Sequence, residues 1–381
     1  MEFQRTEEQE MVVRMVRTFL EKEVLPVASA FDHACTFPKA LVKQLGEMGL
    51  MGAFIPTEYG GSGMDLLTYV LAMEEVSKAW AALGVIMTVN NSLVCDPIHR
   101  FGNADQKERY LKPLAQGKKL GCYALTEAGA GSDAGAIATQ AVADGEDYIL
   151  KGGKRFITNG KHADIALVYA VTDAALGKKG ISALIVETST PGFIVSKTEE
   201  KMGLHGSDTA ELVFQDCRVP KENLLGTKNA GFKIALATLD GGRIGIAAQA
   251  VGIAQAGLEA AIAYAKERQQ FGKAIGEFQM IRWMIADMHV EIEAARLLMH
   301  RAAWLRQEGQ PMTLQASQAK LYASEMCNRV AYKAVQIFGG YGYMKEFPVE
   351  RYYRDARITT LYEGTSEIQR IVIARSLLQG E

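Results

Sequence analysis

Apolar residues in the first third of the chain recur at the spacing of an α-helix. From Thr6 onward they lie three and four positions apart, as in Val12, Val13, Val16, Phe19 and Leu20. Thr6 and Gln9 have the spacing of a capping box, which satisfies free backbone groups at a helix start. A glycine-rich break at residues 56–63 and a stop with a restart at residues 102–105 separate further helical stretches. The pattern predicts an N-terminal helical domain over residues 1–119.

The pattern changes near Leu120, where the periodicity shortens. Short runs rich in β-branched and aromatic residues, at 148–150, 155–158, 165–170 and 184–186, alternate with turns built from Asp, Gly and Asn. We therefore expect a β-rich sandwich or barrel domain over residues 120–228.

Helical spacing returns after residue 229 and continues to residue 381. One stripe runs through Ile281, Met284, Ile285, Met288 and Ile292, and a second runs from Leu314 past Val330 to Ile337. Breaks at residues 272–276 and 307–311 are short, which favours long antiparallel helices in a four-helix bundle. The predicted fold class is α+β and multi-domain, with helices first, then strands, then a bundle.

Composition and charge exclude several classes of protein. Of 381 residues, 48% are apolar and 23% charged, and the net charge of −2 provides no basic field for nucleic acid. The five cysteines form no CxxC pair, so we expect reduced core residues in a cytoplasmic protein. Cys95 and His99 are four positions apart, but two ligands without two more do not predict a metal site. No uninterrupted apolar run approaches the ~20 residues of a membrane helix, and the start lacks the pattern of a targeting segment.

A glycine cluster at residues 129–135 follows a predicted strand. Its spacing is GxGxxxG, no amphipathic helix follows, and no acidic residue ends a second strand, so a Rossmann nucleotide site is not predicted. The segment does offer backbone N–H groups together with the Thr126 and Ser132 hydroxyls, which suit a polar ring edge or a phosphate. A glycine-rich surface loop is the plain alternative.

A second candidate site combines arginine, glutamine and glycine. Arg268 precedes a glycine-containing break, Gln279 follows it, and residues 336–342 include Gln336, Gly339 and Gly340. Arginine is a forked donor and glycine lets a backbone approach closely, so this set suits a diphosphate and an adenine. Each glutamine could equally be a solvated helix residue. The arginines at 351, 354 and 357 are more typical of a salt-bridged face.

Glu363 is the candidate for acid–base chemistry. It precedes Gly364, and Ser366 with Gln369 has the spacing of a capping box, which predicts a tight turn beside a helix N-terminus. Backbone N–H groups there could hold a carbonyl oxygen while the carboxylate transfers a proton. A surface glutamate before an ordinary cap is the alternative. No GxSxG motif or nucleophilic cysteine context is present, so a carboxylate is the remaining candidate.

Five separated segments resemble the motifs of the acyl-CoA dehydrogenases, closest to the short-chain (butyryl-CoA) branch. They are residues 123–133, 156–160, 268–272, 336–342 and 362–365, and they span nearly the whole chain in order. The resemblance implies a fold of helices, strands and helices, and FAD as cofactor. It implies α,β-dehydrogenation of a short- to medium-chain acyl-CoA to the trans-2-enoyl-CoA, with Glu363 removing the α-proton and flavin N5 accepting the hydride.

The same resemblance implies the binding residues. FAD is expected at Tyr123, Leu125, Thr126, Gly131, Ser132, Phe156, Ile157, Thr158, Arg268, Phe271, Gln279, Gln336, Ile337, Gly339, Gly340, Thr365, Ser366 and Glu367. The acyl-CoA substrate is expected at Ser132, Asp240, Gly241, Gly242, Arg243, Tyr362 and Gly364. A homotetramer arranged as a dimer of dimers, FAD contacts across a subunit boundary, and electron-transfer flavoprotein as the electron acceptor are also implied.

Three positions separate this chain from other branches of that family. Isovaleryl- and long-chain-type enzymes carry their base where this chain has Gly242, which leaves Glu363 as the base. Residues 83–91 lack the arginine of glutaryl-type enzymes, which favours a neutral acyl chain. Phe156 replaces a tryptophan found in several relatives. A desulfinase or lyase, an acyl-CoA oxidase and a non-catalytic FAD-binding subunit are the alternatives, and acyl length and electron partner are not determined by the sequence.

Overall fold

A computed structural model describes residues 4–379, and it has the predicted order of helices, strands and helices. The first part contains α1 (Glu7–Phe19), α2 (Leu25–His33), α3 (Lys39–Glu47), α4 (Leu66–Ala79), α5 (Ala81–Thr88), α6 (Asp96–Phe101), α7 (Ala104–Gln106) and α8 (Lys112–Ala115). Wider π-helical turns join some of them, at Leu20–Val24, Val89–Cys95 and Lys107–Leu111. The fold class predicted from hydrophobic spacing is confirmed.

Local sequence explains where the first helices begin. The predicted capping box is present at α1, because Thr6 Oγ1 accepts from the Gln9 N–H and the Gln9 side chain accepts from the Thr6 N–H. Asn103 and Gln106 form the same motif at α7, after α6 stops at Phe101. The predicted stop and restart at residues 102–105 are therefore confirmed.

The middle of the chain forms one eight-stranded sheet. The strands are β1 (Gly121–Ala124), β2 (Gln140–Asp144), β3 (Asp147–Thr158), β4 (Ile165–Val171), β5 (Ile181–Glu187), β6 (Phe193–Thr198), β7 (Thr209–Pro220) and β8 (Leu224–Leu225). Their order in the sheet is β6-β7-β3-β2-β4-β5-β8, while β1 pairs in parallel with β4.

Strand β4 explains why its sequence is continuously apolar. Alternate residues of a strand point to opposite faces, and here each face meets a different core. Ile165, Leu167 and Tyr169 pack with helical residues of the first part, whereas Ala166, Val168 and Ala170 pack among the strands themselves. Burial on both faces removes the alternation of polar and apolar residues.

The last part consists of α9 (Gly231–Glu267), α10 (Gln279–Gln307), α11 (Thr313–Phe338), α12 (Val349–Ile358) and α13 (Ser366–Gln379). A short hairpin, β9 (Gln269–Gln270) with β10 (Lys273–Ala274), occupies the predicted break between α9 and α10. Helices α4 and α5 share one apolar core with α9, α10 and α11. The helices on either side of the β domain in sequence are therefore joined in space, and the Glu363 turn lies next to that core.

Two helical stretches are long and apolar enough to cross a membrane by length and composition alone, which the sequence pattern did not predict. They are residues 81–101 and 231–267, and 100% and 72% of their most apolar windows are buried inside the fold. Their apolar character is accounted for by protein packing.

Two side-chain expectations have different outcomes. Cys95, Cys122, Cys217 and Cys327 are buried as expected, but Cys35 is exposed, so the prediction of a core residue is wrong there. Cys35 lies in the turn after α2, outside the apolar stripe of that helix. On the basic face of α12 the expected salt bridges are present at Arg354, which pairs with Glu350 at 2.6 Å and with Asp32 at 3.0 Å, whereas Arg351 and Arg357 form no ion pair within residues 4–379.

Candidate active site

The turn between α12 and α13 has the tight geometry predicted for it, but a different cap. Glu363 and Gly364 both have positive φ, at 51° and 90°. Oγ1 of Thr365 accepts from the Ile368 N–H at 3.3 Å, whereas the Ser366 hydroxyl has no partner in residues 4–379. The predicted Ser366 capping box is therefore wrong, because α13 already begins at Ser366 and Thr365 occupies the capping position.

Gln369 stabilises the turn in another way. Its buried side-chain amide donates to the Glu363 carbonyl at 3.1 Å and to the Gly364 carbonyl at 3.0 Å. A β-carbon at Gly364 would lie 2.6 Å from that amide nitrogen, which explains the glycine in addition to its φ. The backbone at Glu363 and Gly364 is thus held by the side chain of Gln369, which lies in the first turns of α13.

The Glu363 carboxylate is enclosed although the residue as a whole is half-buried. Its Oε2 atom is shielded from solvent and has no hydrogen-bond partner within residues 4–379. Burial raises the pKa of this carboxyl to about 8, while the positive charges of Lys320 and Arg243 oppose the rise. The environment of the carboxyl atoms, rather than that of the residue as a whole, determines the proton affinity, and Oε2 is buried.

Helix α9 passes directly against this carboxylate. A β-carbon at Gly242 would stand 2.0 Å from Glu363 Oε2, and one at Gly241 would stand 2.1 Å from Nη1 of Arg306. Real β-carbon contacts of that length do not occur, so a side chain at residue 242 or 241 would force the Glu363 carboxylate or the Arg306 guanidinium to move. The structure therefore brings the predicted residues Gly242 and Glu363 into one site.

Arg243 and Asp240 form the polar part of α9 near the site. Nη1 of the buried Arg243 donates to Asp240 at 2.6 Å and to the Ser317 hydroxyl at 3.2 Å, and Asp240 also accepts from Thr313 at 2.7 Å. Burial lowers the pKa of the Arg243 guanidinium, and Asp240 and Glu363 oppose that effect. The Arg243 Nε atom has no partner among the described residues.

Three phenols lie within electrostatic range of Glu363, and one of them, Tyr69, is not among the predicted site residues. The Tyr362 hydroxyl donates to the Gln249 side chain. Tyr69 donates to Thr88 at 3.0 Å and lies 3.1 Å from Ser92. Burial raises the pKa of each phenol, and in all three the negative charge of Glu363 adds to the rise. Tyr123, the third, lies at β1, so the end of that strand reaches the Glu363 site.

Lys320 of α11 is a second residue of the site that is not among the predicted site residues. It is 0% exposed, and its ammonium donates to the Gly364 carbonyl at 2.7 Å. A signal for it exists in the sequence, because Lys320 lies on the buried stripe of Ala316, Ala323 and Cys327, where a charged residue is unusual.

The two predicted flavin segments of the β domain touch each other. The Thr126 carbonyl accepts from the Arg155 N–H at 2.8 Å, next to Phe156. Glu127 fixes the adjoining loop, because it pairs with the buried Lys154 at 2.7 Å and accepts from the Ala138 N–H at 2.7 Å. The loop therefore has a defined conformation with Gly131 and Ser132 exposed.

Phe156 is exposed on a distorted part of β3. Its side chain is 60% exposed and its φ is 59°, and the register of β3 with β7 shifts between Lys154 and Ile157. Leu125 and Ile157 are buried, and Thr158 pairs with Thr209. A strained backbone that presents an aromatic ring outward is typical of a ligand-binding surface.

The arginine and the glycines of the second predicted set line a separate depression of about 410 Å³, but its glutamines Gln279 and Gln336 do not. Arg268 lies over the Tyr341 ring at 5.3 Å, and Ile337, Gly339 and Gly340 contribute to its wall. Gln279 and Gln336 are exposed, and Phe271, at the hairpin tip, is 93% exposed. Among residues 4–379, those of the Glu363 turn do not line this depression.

Comparisons with known proteins agree with this arrangement. The acyl-CoA dehydrogenase N-terminal, middle and C-terminal domain families match residues 6–118, 122–217 and 229–378. The short-chain specific acyl-CoA dehydrogenase of Clostridium acetobutylicum is 50% identical over 379 residues, which cover 100% of both chains.

Solved structures are equally similar. Butyryl-CoA dehydrogenase from Megasphaera elsdenii is 48% identical, with a TM-score of 0.98 over 99% of this chain and 100% of that one. A chain from the structure of the electron transferring flavoprotein of Acidaminococcus fermentans is 51% identical, with a TM-score of 0.99 over 100% of both. The chain therefore belongs to the acyl-CoA dehydrogenase family of FAD-dependent oxidoreductases.

Proposed function

We propose that this protein converts a short- to medium-chain acyl-CoA to the trans-2-enoyl-CoA, with Glu363 as the base that removes the α-proton. The observation that carries the assignment is the enclosed Glu363 carboxylate, whose Oε2 is unpaired against Gly242. A base for a carbon acid must have a high proton affinity and an accessible lone pair. The raised pKa of Glu363 gives it a high proton affinity, and its unpaired Oε2 atom provides the lone pair.

Backbone N–H groups at the same turn support the proposal. Within residues 4–379 the N–H groups of Glu363 and Gly364 donate no hydrogen bond. The N–H of Glu363 is free to donate to the thioester oxygen, where negative charge develops as the α-proton leaves. Base and oxyanion donor then belong to the same residue.

The substrate side rests on the α9 segment and the turn. Asp240, Gly241, Gly242 and Arg243 would bind the CoA thioester together with Ser132, Tyr362 and Gly364. Residues 83–91 are buried and uncharged, which supports a neutral acyl chain because a second carboxylate there would be left unpaired. The polar group of Tyr69, Thr88 and Ser92 lies near Glu363.

The residues present fit FAD. The exposed ring of Phe156, the loop at residues 126–132 and the orphaned Tyr123 hydroxyl suit a flat polar ring system. Arg268 with Gly339 and Gly340 suits a diphosphate, since neither glycine has an atom within 4 Å of its β-carbon position. Thr365, Ser366 and Glu367 lie at the N-terminus of α13, and the free backbone N–H groups there would bind the same ligand. Bound FAD supplies the two-electron oxidation by accepting the β-hydrogen as hydride.

Assembly and electron transfer complete the proposal. Exposed apolar residues on α10 and α13 support a homotetramer that joins the two parts of the FAD site across subunits: Met280, Trp283, Val290, Leu297, Ile371, Leu377 and Leu378. Similarity to the Acidaminococcus fermentans chain supports an electron-transfer flavoprotein as acceptor.

Anaerobic addition of butyryl-CoA to the flavin-loaded protein tests the reaction. We expect bleaching of the flavin absorbance, and a rate at least about 10²-fold lower in Glu363→Gln with flavin content unchanged. Glu8→Gln, an isosteric change at an exposed residue of α1, serves as the control and should keep the wild-type rate. An unchanged flavin spectrum with every saturated acyl-CoA tried would contradict the proposal, and peroxide formed stoichiometrically with turnover would indicate an oxidase.

Flavin retention tests the cofactor surface separately. Phe156→Ala should weaken FAD binding by about two- to tenfold, the range of one aromatic contact, while Phe156→Trp should retain it. Val142→Ala removes a similarly exposed apolar side chain from β2 and should leave flavin affinity unchanged. Equal affinity in Phe156→Ala and the wild type would place the flavin elsewhere.

A further inference from the structure

Lys320 is buried in the α11 face of the site, and the proposed reaction assigns it no role. Its side chain is buried, with the residue 0% exposed, and within residues 4–379 the ammonium donates one hydrogen bond, to the Gly364 carbonyl at 2.7 Å. A buried ammonium is costly unless it is paired and hydrogen-bonded, yet this one contacts a neutral carbonyl rather than a carboxylate. A negative charge near Lys320 would offset the cost of burying its ammonium.

Glu363, which directly precedes Gly364 in the chain, provides that negative charge. Burial lowers the pKa of Lys320 to about 8, and Glu363 is the charge that opposes this most. Lys320 is in turn the charge that most favours ionised Glu363, ahead of Arg243. The two groups share one turn, because Lys320 donates to the carbonyl of the glycine that directly follows Glu363.

The other charged and titratable groups around this pair do not replace Lys320. Arg243 on α9 has its own carboxylate at 2.6 Å in Asp240, and Arg306 on α10 pairs with Asp96 at 2.6 Å. Tyr69, Tyr123 and Tyr362 are phenols whose pKa is raised, so they are neutral. Glu325 and Glu367 act on Lys320 more weakly than Glu363 does.

Resting on the proposed role of Glu363, we infer that Lys320 is a positioning residue for the base. Its ammonium holds the Gly364 carbonyl, and its charge stabilises the ionised carboxylate that accepts the α-proton. Gln369 donates to the same carbonyl, so the turn keeps one donor when Lys320 is replaced. The contribution specific to Lys320 is therefore its charge.

Three variants separate charge from hydrogen bonding. Lys320→Met removes both, Lys320→Gln keeps a donor without charge, and Lys320→Arg keeps both. We expect the pKa of Glu363 to rise by about one pH unit or more in the Met and Gln variants, since a lost neighbouring charge has that effect. kcat/KM at neutral pH should fall about tenfold in consequence, recover at alkaline pH, and remain near the wild-type value in Lys320→Arg.

The measurement is an infrared titration of the carboxyl band in the flavin-loaded protein, assigned by its loss in Glu363→Gln, together with the pH profile of kcat/KM. Lys333→Met is the matched control, because Lys333 lies on the same helix but pairs with Asp287 and Glu291. Flavin content and melting temperature monitor folding. If Lys320→Met does not fold, the Gln and Arg variants, which both retain a donor, decide the question.

The outcomes separate the two proposals. An unchanged Glu363 titration in the neutral variants, with Glu363→Gln inactive, overturns the role of Lys320 and leaves the base in place. Full activity of Glu363→Gln overturns the base and the role of Lys320 together. A raised titration in both neutral variants but not in Lys333→Met supports the inference.

Discussion

A β-carbon on Gly242 would stand 2.0 Å from Oε2 of Glu363, although 121 positions separate the two residues (363 minus 242). Any side chain at residue 242 would occupy the space that the carboxylate now fills. The resemblance described above implies that other branches of the family carry their base at this position. The structure adds the reason why one site accommodates only one of them, since both positions face the same point.

Gly242→Ala should therefore displace the Glu363 carboxylate. Misplacement of a reacting group by about 1 Å can cost about 10²-fold in rate, and we expect a loss of that order in kcat/KM with flavin content unchanged. Gly257→Ala on the same helix is the control, because its β-carbon would meet Ala334 at an ordinary 3.5 Å. Similar activity in both alanine variants would show that the carboxylate moves freely.

Activity should rise with pH through the titration of Glu363. Only the ionised carboxylate accepts the α-proton, and burial raises its pKa to about 8, so kcat/KM should increase about tenfold per pH unit below that value and level off above it. The profile is measured under steady-state conditions with an artificial electron acceptor. A flat profile from about pH 6 to about pH 9 would contradict an essential group of this pKa.

The cap of α13 makes a prediction about two adjacent hydroxyls. Thr365→Ala should lower the free energy of unfolding by about 1 kcal/mol, the usual cost of losing an N-cap acceptor. Ser366→Ala should change it much less, because the Ser366 hydroxyl has no partner in residues 4–379. Urea unfolding of flavin-free protein measures both without the cofactor contact. A larger cost for Ser366→Ala would restore the capping box that the sequence predicted.

Asp355 should make stability depend on pH. Burial and the neighbouring Asp32 raise its pKa from 3.8 to about 6. The folded state then binds more protons than the unfolded state between those values, so this group lowers the free energy of unfolding as pH rises through that window. Asp355→Asn keeps an acceptor for the Leu204 N–H, which now donates at 2.6 Å.

The Asn variant should therefore be more stable than the wild type above about pH 6, by about 1–2 kcal/mol, and the gain should vanish below about pH 4. Asp216→Asn, at an exposed pair with Lys151, is the control and should show no such trend. Melting temperature against pH is the measurement. A destabilised Asp355→Asn at neutral pH would show that the ionised carboxylate is needed where α12 meets the Leu204 loop.

The sequence by itself determined the order of helices, strands and bundle, and it proposed Glu363 as the candidate base. Periods of 3.6 and 2 residues depend on which face of each element is buried, and that information is local. The cap of α13 shows where local reasoning ends. Ser-x-x-Gln spacing is compatible with a capping box, but the Gln369 amide instead donates to the carbonyls of Glu363 and Gly364 in the turn.

Only the tertiary structure decided what surrounds the carboxylate. Lys320, Tyr69 and Gly242 come from α11, α4 and α9, and their shared position depends on how those helices pack. The proton affinity of Glu363 follows from burial and neighbouring charges, which are properties of three-dimensional distance rather than of sequence separation. A lysine on an apolar stripe gains a role only when the fold places it beneath the Gly364 carbonyl.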